Sequence, residues 1–265
     1  MGGYATHWRS VGQGPRPALF LHCSLGHSGA WGGLVSELKS DLNIIAMDLP
    51  GHGQSGPWKR DLDWQEQSAR MAIALLETFD KPADIVGHSF GATVAIRIAV
   101  TRPALVRSLV LAEPVLFSVA DEARAPEFQR HVDEVQIFPK LLAQGRLEDL
   151  AKAFIKMWGG GQRWEDIPAA QQRYMIDRMD IILTGEPSLF GIGDSVITLD
   201  MIGEIAVPVL LVEGSDTHEI IPVITSEMQR VLPNSERLVV NGAGHMVPLT
   251  HVAEVAQKMR AFLSL

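Results

Sequence analysis

One cysteine, Cys23, in a chain of 265 residues excludes an internal disulfide framework. There is no Cys-x-x-Cys pair and no His/Cys ligand cluster, so neither a structural zinc nor a cofactor is expected. Positive charge is scarce, with 23 Lys and Arg against 31 Asp and Glu and a net charge of −8. That balance disfavours nonspecific binding to nucleic acid or to an anionic membrane. No apolar run approaches membrane-spanning length. The start, Met1-Gly2-Gly3-Tyr4, has no basic flank followed by an apolar segment, so no signal peptide is expected. Low-complexity tracts and internal repeats are also missing. The expectation is a cytoplasmic protein that acts on a small molecule.

What is present is a hydrophobic content of 46 %, enough for a substantial core. Short runs rich in Val, Ile and Leu recur at Ala18 to His22, Asn43 to Leu49, Ala83 to Gly87, Val106 to Ala112, Val207 to Val212 and Arg237 to Val240. Nearly continuous apolar runs of this length suit strands covered on both faces. Amphipathic stretches at Trp31 to Ser40, Asp63 to Phe79, Phe90 to Arg102, Ile221 to Leu232 and Val252 to Leu263 read as helices. Asp63 is a candidate cap, and Pro82 and Pro103 punctuate two helix ends. This alternation predicts an α/β fold with a mostly parallel central sheet and helices on both faces. Between about Phe117 and Asp200 it breaks into helical pieces at Glu127 to Ile137, Leu141 to Met157 and Ala169 to Leu183. The expected organisation is a core of residues 1–116 and 201–265 with a helical cap, residues 117–200, inserted in it.

Gly87-His88-Ser89-Phe90-Gly91 lies between a strand-like and a helix-like run. A serine on such a turn has an exposed hydroxyl and a strained backbone, and the flanking glycines let the helix pack close to the sheet. Ser89 is the expected nucleophile. A serine hydroxyl needs a base within hydrogen-bond reach. His245, in Gly242-Ala243-Gly244-His245-Met246, follows the last strand and is the best placed. His22, His52 and His88 read instead as hydrogen-bonded scaffold or as pointing away from Ser89. The base needs an orienting anion. Asp216, after the strand Val207 to Val212, is the expected acid, and Glu113, at the end of Val106 to Ala112, is the rival. The negative oxygen of a tetrahedral intermediate needs aimed backbone donors. The amides of Ser24 and Phe90 are assigned that oxyanion role. Cys23 has no base arranged to activate it.

Together these residues resemble the α/β-hydrolase fold family, in its serine esterase and lipase-like form with a helical cap. Asp48-Leu49-Pro50-Gly51-His52-Gly53-Gln54-Ser55 is similar to the family's Asp-x-Pro-Gly-x-Gly-x-Ser segment, a structural loop. Gly87 to Gly91 resembles its nucleophile elbow, Val209 to Asp216 its acid-bearing strand and loop, and Gly244-His245 its terminal histidine. Two departures stand out. His22-Cys23 replaces the usual His-Gly before the oxyanion donor. Thr217 occupies the usual acid position, with Asp216 one residue earlier.

The resemblance implies a reaction class. Relatives that cleave carbon–halogen bonds or epoxides use aspartate at the elbow, which Ser89 argues against. Serine members are mostly ester, thioester, lactone and amide hydrolases. The expected function is hydrolysis of a small to medium uncharged carboxylic ester through an acyl-enzyme, without a metal. The alternatives are a carbon–carbon bond hydrolase, a lactonase or a perhydrolase of the same fold. A carbon–carbon bond hydrolase would need cap cations such as Arg124, Arg130 or Arg173 to hold a carboxylate. A non-catalytic, receptor-like binding protein is the alternative from another class.

Overall fold

A computed structural model describes residues 1–185 and 187–265. Seven strands form one sheet: β1 (Trp8–Val11), β2 (Arg16–Leu21), β3 (Leu42–Met47), β4 (Ala83–His88), β5 (Val106–Ala112), β6 (Val209–Gly214) and β7 (Ser235–Val240). Their spatial order is β1-β3-β2-β4-β5-β6-β7. Only β1 runs antiparallel to its neighbour, β3; the other pairs are parallel. The expected mostly parallel sheet is therefore present.

Residue alternation along the central strands splits the core into two layers. Leu19, Leu21, Ile85, Leu109 and Leu111 pack on one face. Ala18, Phe20, Val86, Val110, Ala112, Leu210 and Val212 pack on the other. Helices cover both faces, which is why these strands carry apolar residues at successive positions. Helix Trp64–Leu76 starts at Asp63, whose side chain accepts the Glu66 amide at 3.1 Å, as an N-cap should. Helix Phe90–Thr101 is buried along nearly its whole length behind the sheet.

The chain winds from β2 outward to β3, then returns to β4 and winds outward the other way. The switch lies between β2 and β4, where a crevice opens at the carboxyl ends of the strands. Between β5 and β6 the chain is helical, including Ser118–Glu122, Pro126–Val135, Ile137–Ala143, Leu147–Trp158, Ala169–Ile176, Met179–Thr184 and Leu199–Gly203.

Some boundaries differ from expectation. Strand β1 was not expected; its sequence, WRSV, is short and largely exposed. The stretch Leu141 to Met157 is two helices, because Gly145, at φ 68°, turns the chain between them. Ala169 to Leu183 likewise divides at Asp177 and Arg178. Among the described residues no helix is long and apolar enough to cross a membrane.

Candidate active site

Neighbouring strand ends bring the chemistry together. The Ser89 amide donates to the Ala112 carbonyl at 2.8 Å, and the Glu113 amide donates to the Val212 carbonyl at 2.8 Å. Ser89 and Glu113 thus leave adjacent parallel strands at the same level. Ser89 has φ 55° and ψ −118°, a region that L-residues rarely occupy. Packing holds it there. A Cβ on Gly91 would fall 2.6 Å from the His22 carbonyl oxygen and closer still to that of Leu21. The elbow therefore presses against the end of β2, and only glycine fits.

The side chains of Ser89, His245 and Glu113 form a hydrogen-bonded row. His245 Nε2 lies 2.9 Å from Ser89 Oγ, and its Nδ1 lies 3.0 Å from Glu113 Oε2. All three are buried. An ionised carboxylate only accepts, so Nδ1 carries the proton and Nε2 is left to accept from the serine hydroxyl.

Asp216, the expected acid, is not the partner of His245. It is exposed, and its Oδ1 accepts from the Ser215 hydroxyl at 2.8 Å. The rival, Glu113, fills the position. The physical reason lies in the β6 loop. The Gly214 amide donates to Glu113 Oε1 at 2.7 Å, and the Thr217 hydroxyl donates to Oε2. Thr217, one residue after the expected acid Asp216, thus helps to hold a carboxylate supplied by the neighbouring strand. Glu113 itself leaves the end of β5 with a positive φ of 52°.

Ser24 follows β2 and borders the same crevice as Ser89. Phe90 begins helix Phe90–Thr101, so its amide lies in the first helical turn, where donors gather. Its ring stacks on Trp64 at 3.9 Å, and Trp64 stacks in turn on His52.

The other histidines divide as expected. The Leu49 amide donates to His22 Nε2 at 2.9 Å, leaving Nδ1–H to donate to the Cys23 carbonyl at 2.7 Å. His52 is held in the same way, accepting from the Leu25 amide at 3.1 Å and donating to the Pro50 carbonyl at 3.1 Å. Burial, before any neighbouring charge, lowers His22 to a pKa of about 4 and His52 to about 3. Both rings are neutral structural links between loops. His88 has a role that sequence reasoning missed. Its Nε2–H donates to the backbone carbonyl of His245 at 2.8 Å, fixing the loop that carries His245. Burial and then His245 hold His88 at about 3. Burial pushes the Cys23 thiol up to about 12, so it is no nucleophile at neutral pH.

Asp48 anchors the loop after β3. It accepts from the amides of Ser28 (2.6 Å) and Gln54 (2.9 Å), and His7 contacts it at 2.7 Å. Burial opposes its charge, yet these hydrogen bonds hold its pKa below the ordinary carboxylate value. That is the structural role expected of the segment.

Two chambers meet at Ser24 and Ser89. The first, about 290 Å³, is walled by Phe117, Phe138, Phe154, Trp158, Ile182 and Phe190. The second, about 260 Å³, is bordered by His245 and Met246 together with Gln162 and Gln171. Among the described residues no Lys, Arg, Asp or Glu borders either one. Arg130 is instead committed to Glu127 and Glu219, and Arg173 to Asp177. His131, Glu134 and His218 bring one possible ligand atom each within 4.8 Å of one another, a grouping that their spacing in the chain does not announce.

A family model described as the alpha/beta hydrolase family matches residues 18–258. Over 260 residues the chain is 26% identical to (E)-2-((N-methylformamido)methylene)succinate hydrolase of Acinetobacter baylyi, covering 97% of this chain and 94% of that protein. It is 27% identical over 263 residues to a pimeloyl-[acyl-carrier protein] methyl ester esterase of Nitrosospira multiformis, covering 95% of each. Among solved structures, Est816, described as an N-acyl homoserine lactone degrading enzyme, superposes with a TM-score of 0.71 at 22% identity, covering 98% of this chain and 97% of that one.

Proposed function

We propose that this chain, which belongs to the alpha/beta hydrolase family, cleaves small to medium uncharged carboxylic esters through an acyl-enzyme on Ser89. The observation that carries the proposal is the buried row Ser89–His245–Glu113, with separations of 2.9 and 3.0 Å.

In this reading Ser89 Oγ attacks the ester carbonyl carbon while its proton passes to His245 Nε2. Glu113 steadies the imidazolium through Nδ1–H and keeps the ring in the productive tautomer. The amides of Ser24 and Phe90 hold the oxyanion. Collapse expels the alcohol, which takes the proton from Nε2. Water then enters and attacks the acyl-serine while one of its protons passes to His245 Nε2; collapse breaks the bond to Ser89 Oγ, returns that proton from Nε2 to the serine oxygen and releases the acid.

The two chambers acquire separate roles from this proton transfer. The departing alcohol must be within reach of His245, so it occupies the chamber that His245 borders. The acyl group remains on Ser89 and fills the apolar chamber. The helical segment 117–200 supplies most of the apolar wall, and its proposed role is a cap that excludes water.

The uncharged linings favour a neutral substrate. A succinate such as that named for the Acinetobacter relative carries carboxylates, which in an apolar chamber need cationic partners. None borders these chambers among the described residues.

The test is covalent labelling by a fluorophosphonate together with turnover of p-nitrophenyl esters of graded chain length. Labelling is expected, with loss in Ser89→Ala and a fall in kcat of about 10⁴-fold. Absence of both labelling and turnover would refute the proposal. Hydrolysis of a vinylogous diketone without ester turnover would replace it with carbon–carbon bond cleavage.

A further inference from the structure

The turn that carries the Ser24 amide is strained and is held from more than one side. The Gly26 amide donates to the Cys23 carbonyl at 3.0 Å, closing a four-residue turn with Ser24 and Leu25 at its centre. Leu25 has φ 63°. That sign at the third position is what a type II turn requires, and glycine is usual there because a branched side chain is costly. Such a conformation persists only where its surroundings over-determine it. From the core, the Leu25 side chain is buried and its amide donates to His52 Nε2 at 3.1 Å.

A further hold comes from the helical segment 117–200. Tyr174 lies on helix Ala169–Ile176, and its hydroxyl donates to the Gly26 carbonyl at 2.9 Å. The same hydroxyl accepts from the Gly53 amide, on the loop after β3, at 2.9 Å. Its proton and one of its lone pairs are thus both directed, so the O–H does not rotate freely. Arg178 fixes the ring. Its guanidinium carbon lies 3.5 Å from the ring centroid. Its Nε donates to the Gly51 carbonyl at 2.9 Å and its Nη1 to the Tyr174 carbonyl at 2.8 Å. Tyr174 itself borders neither chamber.

We infer that Tyr174 is a positioning residue for the oxyanion, acting through the Gly26 carbonyl on the turn that aims the Ser24 amide. This rests on the reading in which Ser89 is acylated and the Ser24 amide faces the oxyanion. A donor aimed in advance costs no reorganisation at the moment of reaction, so its aim counts for as much as its presence. The uncharged carbonyl of the bound ester depends on that aim less than the negative oxygen does. Tyr174 therefore contributes to the rate and not to binding of the neutral substrate. It also ties the seating of the helical segment to the rate, because a segment that lifts away takes this hydroxyl with it.

The experiment compares wild type with Tyr174→Phe, which keeps the ring and loses only the hydroxyl. It reads kcat/KM on p-nitrophenyl butyrate and the inhibition constants of octyl trifluoromethyl ketone and octyl methyl ketone. Ser89 Oγ adds to the carbonyl carbon of the fluoroketone, its proton passes to His245 Nε2, and the carbonyl oxygen becomes an anion. The methyl ketone binds uncharged. Removing an oxyanion donor outright costs about 10²–10³ in rate, and Tyr174→Phe only loosens one, so kcat/KM is expected to fall about tenfold. Binding of the fluoroketone should weaken by the same factor, while that of the methyl ketone stays within about twofold. Circular dichroism is the folding control. Arg178→Lys, which loses the planar stack on the ring, should shift the same two quantities in the same direction by a smaller factor. That variant decides the matter if Tyr174→Phe fails to fold. Equal weakening of both ketones overturns the inference, because Tyr174 would then shape the chambers instead of the turn. So does a kcat/KM that the loss of the hydroxyl leaves unchanged. Either result, with wild type still labelled by fluorophosphonate, leaves the acyl-enzyme reading standing. Failure of wild type to label and to turn over any ester overturns both readings together.

Discussion

Replacing Glu113 with glutamine tests the hydrogen-bonded row most severely, because the change removes charge and almost no volume. Three donors converge on this carboxylate: the Gly214 amide on Oε1, and the Thr217 hydroxyl and His245 Nδ1–H on Oε2. A carboxamide offers one oxygen and one NH₂. With its oxygen on Gly214, its NH₂ faces His245 Nδ1, which must then accept. The imidazole proton moves to Nε2, and the nitrogen facing Ser89 is no longer a base. With the amide reversed, NH₂ meets the Gly214 N–H in a buried position, at a cost of about 1–3 kcal/mol. The first arrangement wins, and the enzyme folds with the wrong tautomer. Loss of the correct tautomer and of the counter-ion is expected to lower kcat about 10⁴-fold, or about 5.5 kcal/mol of barrier. Asp216→Asn alters an exposed carboxylate bonded to Ser215 and should change kcat less than about threefold. Initial rates on p-nitrophenyl butyrate, with circular dichroism as the folding control, measure both. The reasoning is refuted if Asp216→Asn loses more than a hundredfold while Glu113→Gln keeps a tenth of the activity.

The acid should also be movable. In a Glu113→Ala background, Thr217→Asp places a carboxylate where the hydroxyl met Glu113, and kcat/KM should recover about tenfold over the single variant; a double variant no faster than Glu113→Ala contradicts this. Gly91→Ala drives a methyl into the backbone at the end of β2 and should cost about 2–3 kcal/mol, read as a lower urea midpoint; an unchanged midpoint would show that the elbow has room. Buried His22, His52 and His88 have folded pKa values of about 4, 3 and 3, all below the unfolded value of 6.5. Their neutral forms stabilise the fold fully above pH 6.5. As pH falls below it, only the unfolded chain takes up protons, until the folded values are reached. Each ring should cost about 1.4 kcal/mol at pH 5.5 relative to pH 7.5, or about 4 kcal/mol for the three. A urea midpoint that is flat or rising over that interval would remove this account.

The core strands and helices were legible because burial on both faces writes itself as apolar runs, and amphipathic helices write themselves as a period. Helix Val252–Leu263 has the bounds that its pattern gave. The edge strand Trp8–Val11 carries no such signature, since mostly exposed residues hold it. The meeting of Ser89 with His245 was legible because glycines mark both turns. The carboxylate that meets His245 was not, because Glu113 and Asp216 both lie after a strand, and both fall between Ser89 and His245 in the chain. What separates them is where donors point, and that is a property of packed loops. The one available hint was Thr217 at the position where the family usually has its acid. The hold of Tyr174 on the turn after β2 lay beyond sequence reading altogether. It depends on which carbonyl and which amide meet its hydroxyl.

The choice of glutamate follows from the sheet order. His245 arrives on the loop after β7, and β6 is the strand next to it. Strand β5 lies one position further away, beside β4, which leads to Ser89. An acid from β5 must reach across the end of β6, and the additional methylene of glutamate helps to span that gap. The β6 loop keeps its own acid, Asp216, turned to Ser215 and solvent, and acts as a clamp through the Gly214 amide and the Thr217 hydroxyl, which hold the Glu113 carboxylate. A longer side chain has more rotamers to lose, and those two donors restrict it. The carboxylate that meets His245 therefore comes from the end of β5, and two of the donors that hold it come from the end of β6 and the loop after it.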